Sequence, residues 1–575
     1  MSRITPLFLF ALLTTATAAA AQPAPATPHE QPALHALAHA PSEAELRATI
    51  TKLVGFGTRH TLSDTTSDTR GIGAARRWVK SRFEAISRDC GGCIEVITPS
   101  QTFTGKRAPK PTEVVDVVAI KRGKRDPNRV IVMTGHLDSR VTDVMNATSD
   151  APGANDDASG VAALIEAARL LSKQDNDATL VFAALSGEEQ GLYGGKVLAD
   201  YAVAHGWQVE AQLNNDIVGN SQGQNGVIDN THVRVFSEGT KSNETAAEAD
   251  YRRYHGGEVD SPSRNLARYI DRLADSYLPD FQVRMVYRTD RYGRGGDQVP
   301  FLEAGYPAVR VTEAHENYTR QHQDLRSEGG VRYGDTIDGI DFRYLARVTA
   351  LNAIAMAALS RAPAPPTGVD SKGALATDTT LSWRKVPGAA GYRVHWRDTT
   401  AAQWQHQRAV GDVDHAVLQD VVIDDWFFGV SSVSADGYES PVVFPGYAGS
   451  FERSPAAASA APAQSSGTPS RPSRRRPSAV GCSARPCGSG RNQPASSIAA
   501  VSATPSGPPR CMRRSVQSRQ LRPYSLATFG NGSPLPASAS MPAGNSCRPR
   551  VPVCSQSRCS NVAQNATPSA PARWR

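Results

Sequence analysis

The sequence predicts an α/β fold with a mainly parallel central sheet flanked by helices, followed by a small all-β sandwich and a disordered tail. Three observations carry this expectation. Nearly pure apolar runs such as "NRVIVMTGHLDS" and "ATLVFAALSG" have the composition of strands buried on both faces of a parallel sheet. Runs with helical spacing alternate with them between residues 44 and 361. From 362 to 453 helical spacing gives way to short β-rich pieces separated by turn residues.

At 575 residues the chain is long enough for several domains, each with its own core. Residues 1–21 read as a cleaved secretory signal, because Arg3 precedes the apolar run Leu7–Leu13 and small residues lead to Ala21. No other apolar run approaches the roughly 20 residues that span a bilayer. The expected location is therefore secreted or periplasmic, with no membrane span.

A Pro/Ala/His-rich connector, 22–43, comes next, and the α/β part opens with "SEAELRATITKLVGFGTRHTLSD". In "GIGAARRWVKSRFEAIS", Ala75, Trp78, Val79, Phe83 and Ile86 recur at helical spacing. The strand-like runs "EVVDVVAIKRG" and "NRVIVMTGHLDS" follow, then the helix "DASGVAALIEAARLLSK", the strand "ATLVFAALSG" and the helix "EEQGLYGGKVLADYAVAHG". The strand "VEAQLNNDIVGN", the helix "NLARYIDRLADSYL" and the strand "YPAVRVTE" complete the alternation. The proline-rich "RAPAPPTGV" ends this part near Arg361.

Beyond it, "TTLSWRKV", "GYRVHWRDT" and "WFFGVSSVSADGYES" read as strands of a β-sandwich over 362–453. The placing of Trp383, Tyr392, Trp396 and Leu418 among them resembles a fibronectin type III domain. Residues 454–575 contain sixteen arginines and no Lys, Asp or Glu, so of the total charge of +8 the rest of the chain carries −8. The basic balance belongs to the tail alone, which removes the reason to expect a nucleic-acid partner. Rich in Ser, Pro, Ala and Arg, the tail is expected to be disordered, either as a polycation or as out-of-frame sequence.

Six of the eight cysteines also lie in the tail; the body holds only Cys90 and Cys93, in "CGGC". In an exported chain these two are expected to form a small-loop disulfide. A redox pair or half of a zinc ribbon is the alternative, but the body offers neither a βαβ surround nor a second CxxC.

In open α/β sheets functional groups collect beyond the carboxyl ends of the strands. His136 and Asp138 stand at one such end, Glu188 and Glu189 at another and Asp216 at a third, with Asp156 and Asp157 in a loop before a helix. So many carboxylates at one edge call for a cation. An oxygen-rich set with imidazole suits two divalent ions about 3.5 to 4 Å apart, bridged by an Asp and holding a nucleophilic water. A carboxylate bound to metal is a poor proton acceptor, so of two adjacent Glu one ligates while the other stays free as a base. The HExxH helix of the commoner zinc proteases is absent from the sequence.

Joined in this order, "FGTRHTLSD", "GIGAARRWV", "GHLDS", "GANDDASG", "SGEEQGL" and "NNDIVG" resemble the exported co-catalytic di-zinc aminopeptidases, a family that includes glutamate carboxypeptidase-like members. The resemblance covers Leu46 to Ser360. It implies that His136 and Asp216 ligate one zinc, that Asp156 bridges both and that Glu189 ligates the second. It further implies that Glu188 is the general base and that Asp138 orients His136. The remaining His ligand follows "YPAVRVTE", where His315 and His322 both stand; His322, with Asp324 close behind, is the expected ligand, at a shorter spacing than the family usually shows. Gln298 replaces a His common in relatives and receives no role. Tyr292 is a candidate oxyanion stabiliser, and His60 is read as a structural imidazole.

The activity implied is that of a zinc-dependent exopeptidase, an aminopeptidase acting on peptides or proteins. The alternatives are a carboxypeptidase for acidic C-terminal residues and a degenerate peptidase fold that serves as a binding protein. The sandwich is expected to attach the chain to a surface or polymer, and to be separable from catalysis on small peptides.

Overall fold

A computed structural model describes residues 31–453. The expected signal, the first nine residues of the connector (22–30) and the tail 454–575 lie outside the described residues. The described residues begin with helices α1 (Pro32–Ala38), α2 (Glu43–Val54) and α3 (Gly71–Asp89), then β1 (Glu95–Ile97), a hairpin of β2 (Ser100–Gly105) and β3 (Ala108–Val115), β4 (Val117–Lys121) and β5 (Asp126–His136). Helix α4 (Ala158–Leu171), β6 (Ala178–Leu185), the one-turn α5 (Glu188–Gly191), α6 (Tyr193–Ala204) and β7 (Gln208–Asn215) follow. Next come β8 (His232–Phe236), α7 (Ala246–His255), α8 (Pro262–Tyr277), β9 (Gln282–Val286), α9 (Gln298–Glu303) and β10 (Ala308–Glu313). The short pair β11 (Arg326–Glu328) and β12 (Val331–Tyr333) precedes α10 (Phe342–Arg361).

Eight of these strands form one sheet in the order β1-β4-β6-β5-β7-β10-β8-β9. Its middle, β6-β5-β7-β10, is parallel throughout, so the carboxyl ends of four strands open onto one edge. Alternation along the apolar runs explains their purity. Ile131 and Met133 of β5 and Leu180, Phe182 and Ala184 of β6 face one helical layer; Val130, Val132, Val181, Ala183 and Leu185 face the other. No described helix is long and apolar enough to cross a membrane.

Three features depart from the expected elements. The connector holds α1, with proline in its first turn and Leu34 and Leu37 buried against the core. "EVVDVVAIKRG" is divided between β3 and β4 at Asp116, a buried residue whose carboxylate accepts the Ser186 amide at 2.9 Å. The helix expected from Glu188 onward is broken at Leu192, where φ is +60°, so the Glu188–Glu189 turn is aimed independently of α6. Cys90 and Cys93 form the expected disulfide.

After α10 come β13 (Thr367–Lys372), β14 (Thr379–Arg384), β15 (Gly391–Asp398), β16 (His406–Gly411), β17 (His415–Leu418) and β18 (Trp426–Val433). They make two three-stranded antiparallel sheets, β13-β14-β17 and β16-β15-β18, around Leu381, Trp383, Tyr392, Val394, Phe428 and Val430. These sheets are fastened to the α/β part by buried charge. Asp260, before α8, binds Arg268 at 2.8 Å and both of its oxygens accept Arg397 Nη2 of β15 at 2.9 Å. Asp260 and Arg397 are fully buried. Trp404 Nε1 donates to Asn265 Oδ1 at 3.2 Å and Tyr269 donates to the Glu439 carbonyl at 3.0 Å.

Candidate metal centre

The strand ends deliver the candidate residues to one place. β5 runs directly into His136, and β7 ends one residue before Asp216, where Ile217 adopts φ of +53°. Asp157 caps α4 by accepting the Gly160 amide at 2.9 Å, and its carboxylate also takes the amides of His136 at 2.9 Å and Ile217 at 3.2 Å. Asp157 thus ties two strand ends to the start of a helix, which leaves its neighbour Asp156 to the site.

Asp156 stands between two imidazoles. His136 Nε2 is 2.9 Å from its Oδ1, and His322 Nε2 is 2.8 Å from its Oδ2. Asp216 Oδ1 lies 3.9 Å from His136 Nε2, while Glu189 Oε1 lies 2.8 Å from His322 Nε2. Two groups result, His136–Asp156–Asp216 and Asp156–Glu189–His322, each with its ligand atoms within 4.8 Å of one another. His322 itself has φ of +55°. Of the four described non-glycine residues with positive φ, Ile217 and His322 adjoin or belong to these groups and Leu192 ends the Glu188–Glu189 turn. Backbone strain of this kind collects at functional sites.

Asp138 organises the edge from beneath. Its carboxylate accepts the Glu188 and Glu189 amides, both at 3.2 Å, and the Thr61 hydroxyl at 2.7 Å. His136 Nδ1 lies 3.0 Å from the Asp138 backbone carbonyl and 3.6 Å from its carboxylate. The ring is therefore steadied by the main chain of Asp138, while the side chain holds the paired glutamates. Glu188 keeps partial exposure at the mouth of the edge. Enclosure there, with Asp216 and Glu189 near, pushes its carboxyl well above the ordinary 4.5.

Two arginines at the site have no place in the sequence-based assignment. Arg310, wholly buried in β10, donates to Asp216 Oδ2 and, through Nη2, to the Asp216 carbonyl at 3.4 Å. Arg140 Nε donates to Glu189 Oε2 at 2.7 Å, and its Nη2 lies 2.6 Å from His322 Nδ1. A charged residue inside the apolar run "YPAVRVTE" was the visible signal for Arg310. Arg140 gave none beyond lying two residues after Asp138. Gln298 is also buried, donating to Asp290 Oδ2 at 2.6 Å and accepting from Asn214 Nδ2 at 3.1 Å.

Three observations fit divalent cations. Carboxylate oxygen and imidazole nitrogen are the donor types that zinc takes. Glu189 Oε1 is buried and makes no hydrogen bond. The carboxylates also draw positive charge inward: burial opposes a charged His322, yet Glu189 and Asp156 push its pKa up to about 10. Burial likewise opposes a charged His136, and Asp138, Asp156 and Asp216 outweigh it.

The other candidates lie apart from these two groups. His315 Nε2 is 3.9 Å from Asp229 and belongs to neither group. Tyr292 is 87% exposed, with the Arg288 guanidinium 5.5 Å from its ring centroid. His60 is buried, with Nε2 2.9 Å from the Val144 carbonyl and Nδ1 accepting the Leu62 amide at 3.1 Å, as a structural imidazole should be. Its neighbour Arg59 donates to the carbonyls of Leu137, Pro152 and Gly153 at 2.8, 2.6 and 2.9 Å. The motif "FGTRH" therefore fixes the loops that carry His136 and Asp156.

Comparison with known proteins yields a consistent family. Residues 116–330 match Peptidase family M28. A "Probable zinc metalloprotease" of Leptosphaeria maculans is 46% identical over 422 residues, covering 73% of this chain and 98% of that protein. Another with the same description, from Pyricularia oryzae, is 46% identical over 412 residues, covering 70% and 82%. Among solved structures, the Legionella pneumophila LapA aminopeptidase aligns over 58% of this chain and 76% of its own at 20% identity, with a TM-score of 0.42.

Proposed function

The chain belongs to Peptidase family M28 and is a zinc metallopeptidase, and on that premise we propose that it is an exported aminopeptidase that works with two zinc ions. The observation that carries the two-ion reading is Asp156, whose two oxygens face two different imidazoles at 2.9 and 2.8 Å. On this reading His136, Asp156 and Asp216 hold one ion, and Asp156, Glu189 and His322 hold the other. When bound, the pair would polarise the scissile carbonyl and acidify the attacking water.

The chain's own groups do the rest. Glu188 is the general base: its amide is fixed by Asp138 at 3.2 Å, and it stands partly exposed at the mouth of the edge beside the ligand Glu189. It passes the captured proton to the leaving amine. Asp138 holds the main chain of Glu188 and Glu189 in fixed relation through their amides. Export follows from the signal-like residues 1–21.

A carboxypeptidase is the second reading, favoured by cationic groups next to the ligands. Arg107 Nη1 donates to the Glu189 carbonyl at 2.8 Å, and Arg294 reaches Gln321, which in turn donates to Asp156 Oδ2 at 3.3 Å. Such groups would suit a free C-terminal carboxylate. Peptides with free or acetylated N-termini, each with free or amidated C-termini, separate the two. Cleavage that requires the free amine and tolerates the amide supports the aminopeptidase; the reverse pattern overturns it in favour of the carboxypeptidase.

A further inference from the structure

The carboxylates at the outer ends of the site, Asp216 and Glu189, share a feature that the central Asp156 lacks. Each has one oxygen taken by an arginine. Arg310 occupies Asp216 Oδ2 and leaves Oδ1 on the His136 side. Arg140 Nε occupies Glu189 Oε2 at 2.7 Å and leaves Oε1, buried and without a hydrogen bond, on the His322 side. None of the three side-chain nitrogens at the Asp156 carboxylate belongs to an arginine: His322 and Gln321 meet Oδ2, and His136 lies at Oδ1.

A carboxylate can meet a metal through one oxygen or through both. With a guanidinium fixed on one oxygen, only the other is free to turn inward. Both arginines are themselves held. Arg140 is 15% exposed and its Nη1 donates to the Val141 carbonyl at 3.1 Å. Arg310 is fully buried beside Asp290 at 3.7 Å, and Gly296 packs so closely that a Cβ there would lie 2.6 Å from Arg310 Nη1. Asp290 is kept in place by Gln298 at 2.6 Å, which gives that glutamine a purpose in supporting the arginine.

We infer that Arg140 and Arg310 are positioning residues that restrict Glu189 and Asp216 to one-oxygen ligation, and that each arginine governs the retention of one ion of the pair. The inference rests on the two-ion reading. It makes the two halves separable: Arg140 acts on the ion shared by Glu189 and His322, and Arg310 on the ion shared by His136 and Asp216.

The test uses the full chain loaded with Zn²⁺ or Co²⁺. Metal content per chain is followed during dialysis against a chelator for the wild type, Arg140→Ala, Arg310→Lys, His322→Ala and the double variant Arg140→Ala/His322→Ala. Arg310→Lys keeps the charge inside the strand, so folding is preserved better than by truncation; circular dichroism verifies each variant. Arg140→Ala should lose one ion about 10- to 100-fold faster than the wild type and keep the second at the wild-type rate. Arg310→Lys should loosen the other ion. The double variant should behave as His322→Ala alone, because both changes act on the same ion. The visible spectrum of Co²⁺-loaded Arg140→Ala should weaken relative to the wild type, as Glu189 becomes free to add a second oxygen. An Arg140→Ala chain that keeps both ions with an unchanged Co²⁺ spectrum, or loses both together, overturns the assignment of the arginines. A wild-type chain that binds a single ion overturns the two-ion reading beneath it, a result distinct from either.

Discussion

His322 Nε2 lies 2.8 Å from Asp156 Oδ2, a contact that joins the loop after β10 to the loop before α4 across the carboxyl edge of the sheet. With His136 on the other oxygen, one aspartate is shared by two ligand groups. The consequences for the neighbouring residues can be measured one by one.

Glu188 and Glu189 should fail in different ways. Glu188→Gln is expected to keep both metals and to lower kcat by a factor of roughly 10² to 10⁴, the usual contribution of a general base. Glu189→Ala should lose metal, because Glu189 Oε1 belongs to the His322 group. Elemental analysis alongside steady-state kinetics separates the two; metal loss confined to Glu188→Gln would reverse the roles.

Arg59 should matter to stability more than to chemistry. It is fully buried and donates to carbonyls from three segments, so Arg59→Ala leaves buried acceptors without partners. A loss of more than about 3 kcal/mol is expected in denaturant unfolding. A change below 1 kcal/mol would show that those carbonyls find other donors.

Removal of the β-sandwich should destabilise the α/β part. Read from the sequence, the boundary near Arg361 looked separable. A chain ending there, however, leaves Asp260 with one of its two arginines, deprives Tyr269 of the Glu439 carbonyl and leaves Asn265 Oδ1 with Arg268 but without Trp404. Losing these contacts and exposing the face that the sandwich covers should lower the melting temperature of the truncated chain below that of the full chain; an unchanged melting temperature would show that the α/β part is independent of the sandwich. Truncation after Arg453 removes no candidate ligand and is expected to leave activity and melting temperature unchanged.

Burial pushes Glu238 from its ordinary 4.5 up to about 7, against hydrogen bonds from Ser242. Between those values the folded chain keeps a proton that the unfolded chain has released. This contribution to stability is fully present below about pH 4.5 and is lost as pH rises through about 7. Glu238→Gln should therefore flatten the decline between those limits and stabilise the chain at pH 8. Equal pH slopes in the two proteins would show that Glu238 titrates normally.

Much of the architecture was legible because burial on both faces of a parallel sheet forces an apolar run, and such runs as "NRVIVM" and "LVFAAL" stand out. The acidic residues at their ends marked the edge. Composition and spacing did not separate Asp156 from Asp157; the family resemblance assigned Asp156, and the structure gives the physical difference, since Asp157 caps α4 and ties His136 to Ile217. Arg140 escaped notice because its partners, Glu189 and His322, are distant in the chain. The buried Asp260–Arg397 pair escaped for the same reason: each residue alone reads as an ordinary surface charge.

The most direct measurement is the zinc content of Asp156→Ala beside the wild type, taken by elemental analysis after dialysis against a zinc-buffered solution. If one carboxylate serves both groups, the wild type should carry two zinc ions per chain and the variant should retain neither at wild-type affinity, with folding verified by circular dichroism. A wild type with a single zinc, or an Asp156→Ala chain that holds one ion as tightly as the wild type does, would contradict the shared aspartate.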